Sequence, residues 1–584
     1  MAQPSPHPAT AIFLQDACHN HRFIRSRDTS TVVERPERLR AVATGLACAI
    51  ARLEEMSVAR VQTEGTAPRK PMDPDELASQ LGKMDLAQPV ASGSGSSTPV
   101  AIVRSSASLS ILAHPAVKYI HGDIDGDVYL ENLVRWVKES KEKIEQDGSE
   151  IPPHLSQGDL YLCPESLDAI QGALGTVCEA VDAVMTPSHS TKRAFVAVRP
   201  PGHHCGEDSP SGFCFVNNVA VAAAHAHLQH GVDRIVIFDI DLHHGNGTQS
   251  ISWQINEETY RQTLESEGGA PSSKRGPQVY YSSIHDILSY PCEDGKPHLV
   301  QAASTSLHGP HGQYIENVHL KEYTSAEHFD RLYRDEYSKI LRRAEEFLES
   351  TSSGKDDVLV FISCGMDASE HEMPSMSRHN RRVPTVFFHR FARDASALAA
   401  KYASGRLISV LEGGYSDRAL ASGAMAHLLG LAGDELAHTE QEASEWWALE
   451  NLILLEKATK KRRAGGRPSL PPHNTPPWLD RTVEIFTSID GSPPSSSTSS
   501  SRSAPPPSSR TLRERKTKGA ASSAASSARN SPAKTLPSVQ NQDSESSLSD
   551  LSDSPDEQGK PVVGAPAKEE RKLPRVILKL GPAP

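Results

Sequence analysis

The sequence predicts an α/β fold: an open parallel sheet flanked by helices, followed by a disordered C-terminal tail. Apolar runs that read as buried strands end near Val198, Phe238, Ile284, Ser363 and Leu411 and alternate with helical patterns. Such alternation implies βαβ units and parallel strands. Four strand ends carry ionisable or glycine-rich segments, and parallel strands deliver their C-terminal ends to one crevice. From Gly491 to Lys568 the chain is rich in Ser, Pro and Ala and nearly without aromatics. It cannot bury enough apolar surface there to offset its ordering entropy.

A length of 584 residues permits one large unit with extensions. Residues 1–435 form the sheet domain, with a Pro-, Ser- and Gly-rich insertion at 61–98. Residues 436–490 form a helical extension and basic linker. Residues 491–584 are the tail, which ends in a short apolar motif, LPRVILKLG (Leu573 to Gly581). Within the domain, Leu167, Ile170, Leu174, Val177, Val181 and Val184 follow helical spacing and read as core. An Ala-rich helix over Asn217 to Gln229 closes near Gly231, and Ser325 to Glu349 is a longer, more charged one. A polar insertion at roughly Glu257 to Pro277 interrupts the connection between two sheet strands. Ala443 to Arg463 reads as a further helix with Trp446, Leu449, Leu452, Ile453 and Leu455 on its apolar face; packing onto the domain is the first reading and a dimer surface the alternative.

A formal net charge of −12 argues against a nucleic-acid coat, so direct nucleic-acid binding is not expected of the whole chain. KKRRAGGRP (Lys460 to Pro468) and RERKTK (Arg513 to Lys518) are local basic clusters, readable by nuclear import receptors or equally as solvated charge runs. Eight dispersed cysteines include no CxxC pair, and Cys163, Cys178, Cys214 and Cys364 lie in apolar segments, so no disulfide framework is expected. The N-terminus lacks a basic region followed by an apolar core, and no segment approaches the ~20 apolar residues a membrane span needs.

The chemistry concentrates in FDIDLHHGNGTQ (Phe238 to Gln249), where a buried strand ends in two carboxylates and two imidazoles. Alternation along a strand would project Asp239, Asp241 and His243 to one side. Carboxylate oxygen and imidazole nitrogen two residues apart suit a divalent ion such as zinc, and three protein ligands with one open position would make the site catalytic. Asp367, closing the strand DVLVFISCGMD, is the candidate third ligand; in isolation it would read better as a helix cap. RPPGHHCGEDSPSGFCF (Arg199 to Phe215) after AFVAV, and LEGGY (Leu411 to Tyr415) after RLISVL, bring two more polar strand ends and favour the ligand reading.

These motifs resemble the arginase-like, zinc-dependent histone deacetylases. PERL (Pro36 to Leu39), RPPGHH, GFCFVNN (Gly212 to Asn218), DIDLHHGNGTQ, GMDA (Gly365 to Ala368) and LEGGY occur in the family's order across roughly Ala11 to Gly433. RPPGHH, HHGNG and EGGY look class II-like, and EHEMPSMSRH with SIHDILSYPCEDGK is similar to the fungal Hos-type subgroup. The resemblance makes residues 1–435 a deacetylase catalytic domain. It implies Zn2+ on Asp241, His243 and Asp367, His203 and His204 as proton-transfer groups, and Tyr415 as oxyanion donor. Asp239 would orient His203. Asn246 would partner His204 where class I members have Asp, so the His204 cation is stabilised less. A structural K+ is implied beneath the zinc, with Asp239 and Ser283 matching its side-chain ligands; for Ser283 a strand-end hydroxyl bonded to backbone is the competing reading. Phe213 matches one tunnel wall, Tyr290 stands where many members have Phe, and Gly413 with Gly414 lets the backbone approach the channel. Asp159, ahead of LYLCP, is a candidate for gripping the substrate backbone, or a turn residue. EHEMP replaces the common GDP turn after Asp367.

The implied activity is hydrolysis of N6-acetyllysine in histones or other proteins, with release of acetate, in chromatin and transcriptional regulation. Acetylated histone tails or other acetylated proteins would be substrates, regulatory partners would engage the tail, and the chain would work in nucleus and cytoplasm. An acetylpolyamine hydrolase shares every catalytic residue, and an acetyl-lysine-binding chromatin scaffold is the non-enzymatic alternative, against which Tyr415 and the His pair argue. A homo-oligomer remains open.

Overall fold

A computed structural model describes residues 9–65, 99–122, 128–268, 275–351, 357–432, 440–460 and 475–491. Nine strands form one sheet: β1 (Thr10–Gln15), β2 (Ala101–Ser105), β3 (Arg193–Ala197), β4 (Arg234–Asp239), β5 (Gln278–His285), β6 (Ser306–His308), β7 (Tyr314–His319), β8 (Val358–Cys364) and β9 (Leu407–Leu411). Their order is β2-β1-β3-β9-β8-β4-β5-β7-β6. Every pair is parallel except β6–β7 at the edge. The α/β expectation is met, and all five apolar runs that read as strands are strands.

Central strands covered by helices on both faces should be apolar along their whole length. VLVFISC of β8 and RIVIFD of β4 are buried at every residue. Register then sets the site. Asp239 lies opposite Ser283 of β5 and Ser363 of β8, and Cys364 lies opposite Leu411 of β9. The loops after β4, β8 and β9 therefore leave the sheet at one level.

The Ser166–Met185 helix buries Ile170, Leu174, Val177, Val181 and Val184, as their spacing requires. The Asn218–His230 helix is capped by the Asn217 side chain, which accepts from Ala220 N–H, and closes at Gly231 with φ 69°, a left-handed position that suits glycine. The charged segment is two helices, Ala326–Leu332 and Lys339–Ser350, joined by a π turn over Tyr333–Tyr337.

Two local expectations need correction. Glu257 to Glu267 is no loop insertion: it continues the Asn246–Glu267 helix, in which Glu258 and Thr259 are buried. Ala443 to Arg463 is not one helix. Glu440–Trp446 and Leu449–Thr459 are separate, broken where Ala448 turns extended and Trp447, not Trp446, becomes the more buried ring. Leu452 and Leu455 are buried as expected, whereas Leu449 is exposed.

A helix that was not anticipated, Pro477–Ile489, lies in the stretch read as linker. Pro477 supplies a preset first turn, and Trp478, Leu479, Thr482, Ile485, Phe486 and Ile489 form a buried face. This face packs on the helix Glu37–Gly65, where the Arg52 guanidinium stands 4.1 Å from the Trp478 ring and Arg40 stands 4.6 Å from Phe486. Arg481 pairs with Glu54 at 2.7 Å. All eight cysteines are buried thiols. Among the described residues no helix is long and apolar enough to cross a membrane. Most of the 61–98 insertion, the 461–468 part of the first basic cluster, RERKTK, the remaining tail and LPRVILKLG lie outside the described residues.

Candidate active site

The ladder of β4 stops at Asp239, so Asp241 and His243 sit on the turn beyond it rather than on the strand. Strand alternation therefore does not align them. A relay of side-chain to backbone bonds does: Asp239 Oδ1 accepts Asp241 N–H at 3.1 Å, and Asp241 Oδ1 accepts His243 N–H at 2.9 Å. From the end of β8, Asp367 Oδ1 accepts Leu242 N–H at 2.8 Å. Asp241, His243 and Asp367 thus bring three donor atoms within 4.8 Å of one another. His243 Nδ1 lies 3.1 Å from Asp241 Oδ1 and 3.0 Å from Asp367 Oδ2.

This cluster is built for positive charge. Both carboxylates are fully buried, and at this separation they would repel by roughly 3 to 4 kcal/mol at an effective dielectric of about 20. Burial alone would lower the His243 pKa, but the Asp367 charge and hydrogen bonds to both carboxylates outweigh it and carry the imidazole up to about 10. Glycine makes the approach feasible: a Cβ at Gly413 would strike both carboxylates, and one at Gly365 would strike Asp241. Gly413 N–H instead donates to Asp241 Oδ2 at 2.7 Å. Two oxygens and one nitrogen in a buried cradle fit one divalent ion of the zinc class.

Beside it stand the two imidazoles of the β3 loop, ring centroids 4.0 Å apart. His203 Nδ1 is 3.1 Å from Asp239 Oδ2, and its Nε2 is 3.8 Å from Asp241 Oδ2. His204 Nδ1 is 2.8 Å from Asn246 Oδ1. Burial lowers both, but Asp241 and Asp239 raise His203 to about 10, while His203 and His243 push His204 further below its ordinary value. Tyr415 is buried, and among the described residues its hydroxyl has no hydrogen-bond partner; its ring centroid lies 6.0 Å from that of Phe213. Tyr290 packs edge-on to His204 at 4.9 Å, and its hydroxyl bonds Ser211. Gly212, φ 50°, leaves room for the His204 ring, which a Cβ there would strike.

Two predicted residues sit differently from the rest. Ser283 is opposite Asp239 in the ladder, but its Oγ bonds His285 Nδ1 at 2.9 Å rather than backbone. Asp159 is on the rim: its carbonyl accepts Phe213 N–H at 2.9 Å and its Oδ2 accepts from Ser156 at 2.8 Å.

Three acids absent from the sequence reading hold the strand-end loops. Glu412 Oε2 accepts Gly202 N–H at 2.7 Å and His203 N–H at 3.2 Å, and burial pushes its carboxyl up to about 7. Glu372, within the EHEMP segment, accepts Tyr415 N–H at 2.7 Å and Ser416 N–H at 3.2 Å on one oxygen and Met373 N–H at 2.7 Å on the other. Glu34 lies between two buried guanidinium groups, Arg199 at 2.6 Å and Arg38 at 2.9 Å. Burial opposes its ionisation, but the Arg199 and Arg38 charges hold its carboxyl well below the usual range. Arg38 in turn donates to the carbonyls of Gly414 and Glu412, which explains why PERL and RPPGHH accompany LEGGY. The available signal was a charged residue with no assigned chemistry inside PERL, RPPGHH, EHEMP and LEGGY; Glu34, two residues ahead of PERL, carried none.

Residues 115–431, more than half of the chain, match the histone deacetylase domain. The chain belongs to this family. Histone deacetylase HOS3 of Saccharomyces cerevisiae is 36% identical over 378 residues, covering 62% of this chain and 52% of the yeast protein. Type-2 histone deacetylase 2 of Dictyostelium discoideum is 32% identical over 267 residues, covering 44% of this chain and 13% of that protein. A histone deacetylase-like amidohydrolase of Pseudomonas aeruginosa is 30% identical over 262 residues, covering 44% of this chain and 57% of that protein. The chain thus spans about half the length of the yeast relative and a smaller part of the amoebal one. A crystal structure of the HDA15 HD domain aligns with 82% of this chain at 20% identity and a TM-score of 0.46, covering 99% of that domain. The HOS3 match agrees with the class II-like, Hos-type resemblance. Deacetylases of this family depend on zinc, for which the buried cradle has the right donors.

Proposed function

We propose that the chain is a zinc-dependent protein deacetylase that hydrolyses N6-acetyllysine in histones or other proteins. The observation that carries this reading is the meeting of a buried Asp–His–Asp cradle, two differently partnered imidazoles and a free tyrosine hydroxyl at the C-terminal ends of the central strands. Asp241, His243 and Asp367 would hold the zinc, which when bound polarises the amide carbonyl and acidifies water.

The chain's own groups divide the remaining work. His204 Nδ1–H donates to a neutral amide oxygen, Asn246 Oδ1, which leaves Nε2 with a lone pair to take a proton from water. The amide stabilises the resulting cation less than a carboxylate would, so His204 releases that proton readily to the departing lysine amine. His203 is fixed in orientation by Asp239, whose Oδ2 lies 3.1 Å from its Nδ1. The Tyr415 hydroxyl donates to the oxyanion. Phe213 and Tyr290 flank the four methylenes of the acetyl-lysine stem, and Gly413 keeps the tunnel base open.

Residues 1–435 form the catalytic domain in this proposal, a structural K+ would use Asp239 and Ser283, and the enzyme works in nucleus and cytoplasm with regulatory partners engaging the tail. Purified protein should release acetate from acetylated histone and tubulin peptides, lose that activity on chelation and regain it with zinc. Preferential turnover of acetylpolyamines would replace the substrate class, and acetyl-lysine binding without turnover would make the chain a scaffold. Asp159, through its rim carboxylate, would grip the peptide backbone. Asp159→Ala should lower turnover of acetylated peptides by one to two orders of magnitude, about 1.5 to 3 kcal/mol, while sparing a small acetyl-lysine mimic without backbone N–H groups. Equal loss on both substrates would remove it from recognition.

A further inference from the structure

Away from the crevice, the C-terminal ends of the Ser166–Met185 and Asn218–His230 helices lie side by side, and three donor side chains meet between them. Asp182 Oδ1 is 2.9 Å from His225 Nε2 and 2.7 Å from His230 Nε2. All three donor atoms lie within 4.8 Å of one another. The His225 side chain is 9% exposed, that of His230 22% and that of Asp182 54%, so the group forms a cup with a buried wall and a mouth open to solvent. We propose that this cup is a second divalent-metal site, taking an ion of the Zn2+ or Ni2+ class on two imidazole nitrogens and one carboxylate oxygen, with water completing its coordination.

A single carboxylate oxygen is shared by both Nε2 atoms, which gathers two nitrogens and one oxygen around one small volume. Imidazole-rich N2O sets favour borderline transition ions over Mg2+ or Ca2+, which require mostly oxygen. Ligands about 2.0 to 2.1 Å from a tetrahedral ion stand roughly 3.3 Å apart. The cup must therefore open by roughly half an ångström, and the partly exposed Asp182 and His230 side chains can make that adjustment. His225 Nδ1 is buried with no partner. It would have to carry the ring proton when Nε2 binds metal, with no acceptor to orient it. That cost sets this site well below the crevice in affinity. A bound ion would tie together the ends of two helices, one of which begins at the Asn217 cap directly after the GFCF wall.

The test uses the full chain carrying its tightly held crevice zinc, titrated with Ni2+ by calorimetry, with elemental analysis before and after. One further ion should bind per chain and raise the unfolding temperature without changing turnover. Both effects should vanish in His230→Gln and in Asp182→Asn, whose substitutions fall on partly exposed side chains, and turnover in each variant should equal that of the unmodified chain. Absence of a further ion in the unmodified chain, or undiminished binding in both variants, would overturn the proposal. Loss of the crevice zinc would register separately in the elemental analysis, so failure of one site is not mistaken for failure of the other.

Discussion

In the strand-end crevice, Asp239, Asp241, Asp367, Glu412, His203 and His204 are buried, and each is held by backbone N–H groups, a side-chain partner or both. In the Pro477–Ile489 helix, Trp478, Leu479, Ile485, Phe486 and Ile489 are almost as buried, and the face they form packs on the Glu37–Gly65 helix, with Trp478 under Arg52. Burying five such side chains contributes about 1.5 to 3 kcal/mol each to stability. Burying the acids contributes little or opposes folding until a cation arrives. Burial by itself is therefore no guide to function. What distinguishes the regions is whether the buried atoms are charged and pre-oriented. The comparison predicts that crevice variants lose chemistry while keeping the fold, and extension variants the reverse.

The largest effects belong to the cradle. Asp241→Asn, His243→Ala and Asp367→Asn should each abolish turnover and remove the zinc that the cradle is proposed to hold, because each takes away one of its three donors. Elemental analysis after dialysis checks this, and normal turnover by a zinc-depleted variant would reject the ligand set. Next is the extension. Trp478→Ala should cost about 3 to 5 kcal/mol of stability, read by denaturant unfolding, by leaving a cavity against Arg52. Per folded molecule its turnover should stay close to that of the unmodified chain. A large fall in kcat at unchanged stability would mean that this helix communicates with the crevice and would break the distinction.

Tyr415→Phe sharpens it from the other side. Loss of one oxyanion donor should cost about 3 kcal/mol in the transition state, two orders of magnitude in kcat, with KM and unfolding temperature nearly unchanged. Its ring is supported by the Arg38 guanidinium, 5.2 Å from the ring centre, whichever residue is present. An unaltered kcat would make Tyr415 a packing residue.

The same division explains what could be read from sequence. The cradle, the His pair and Tyr415 were legible because each sits in a short run at the end of an apolar strand, and register alone brings those ends level. Glu34, Glu372 and Glu412 were not, since their partners lie far along the chain: Glu34 bonds the Arg199 guanidinium 165 residues away, and Glu372 the Tyr415 N–H 43 residues away. Asp241 and His243 were identified by the wrong geometry, because the ladder ends at Asp239 and backbone relays take over. In the extension the helical period of Trp478 to Ile489 was present, but Pro476, Pro477 and the preceding basic run read as linker. At Trp446–Trp447 two adjacent rings gave the periodicity no means of choosing which turns inward. Polar composition misled over Glu257 to Glu267, where Glu258 is buried beside Arg261, bonded at 2.8 Å.

The smallest expected change tests a residue that belongs to both regimes. Glu372 is buried, and its carboxylate receives the N–H groups of Tyr415, Ser416 and Met373 and so sets where the Tyr415 turn lies. Ser416 Oγ adds a bond to His371 O at 2.8 Å, tying the LEGGY turn to EHEMP at two points. Glu372→Gln keeps the shape but replaces a two-oxygen acceptor by one carbonyl and a donor, weakening charge-assisted bonds worth about 1.5 kcal/mol. We expect roughly a tenfold fall in kcat with KM steady, since the misplaced hydroxyl matters most in the transition state. The double variant decides whether the effect runs through Tyr415. Residues acting through one hydroxyl are not additive, so adding Glu372→Gln to Tyr415→Phe should cost almost nothing more. Full additivity would show that Glu372 acts on the crevice independently of Tyr415, for instance through the Asp367 loop that precedes it.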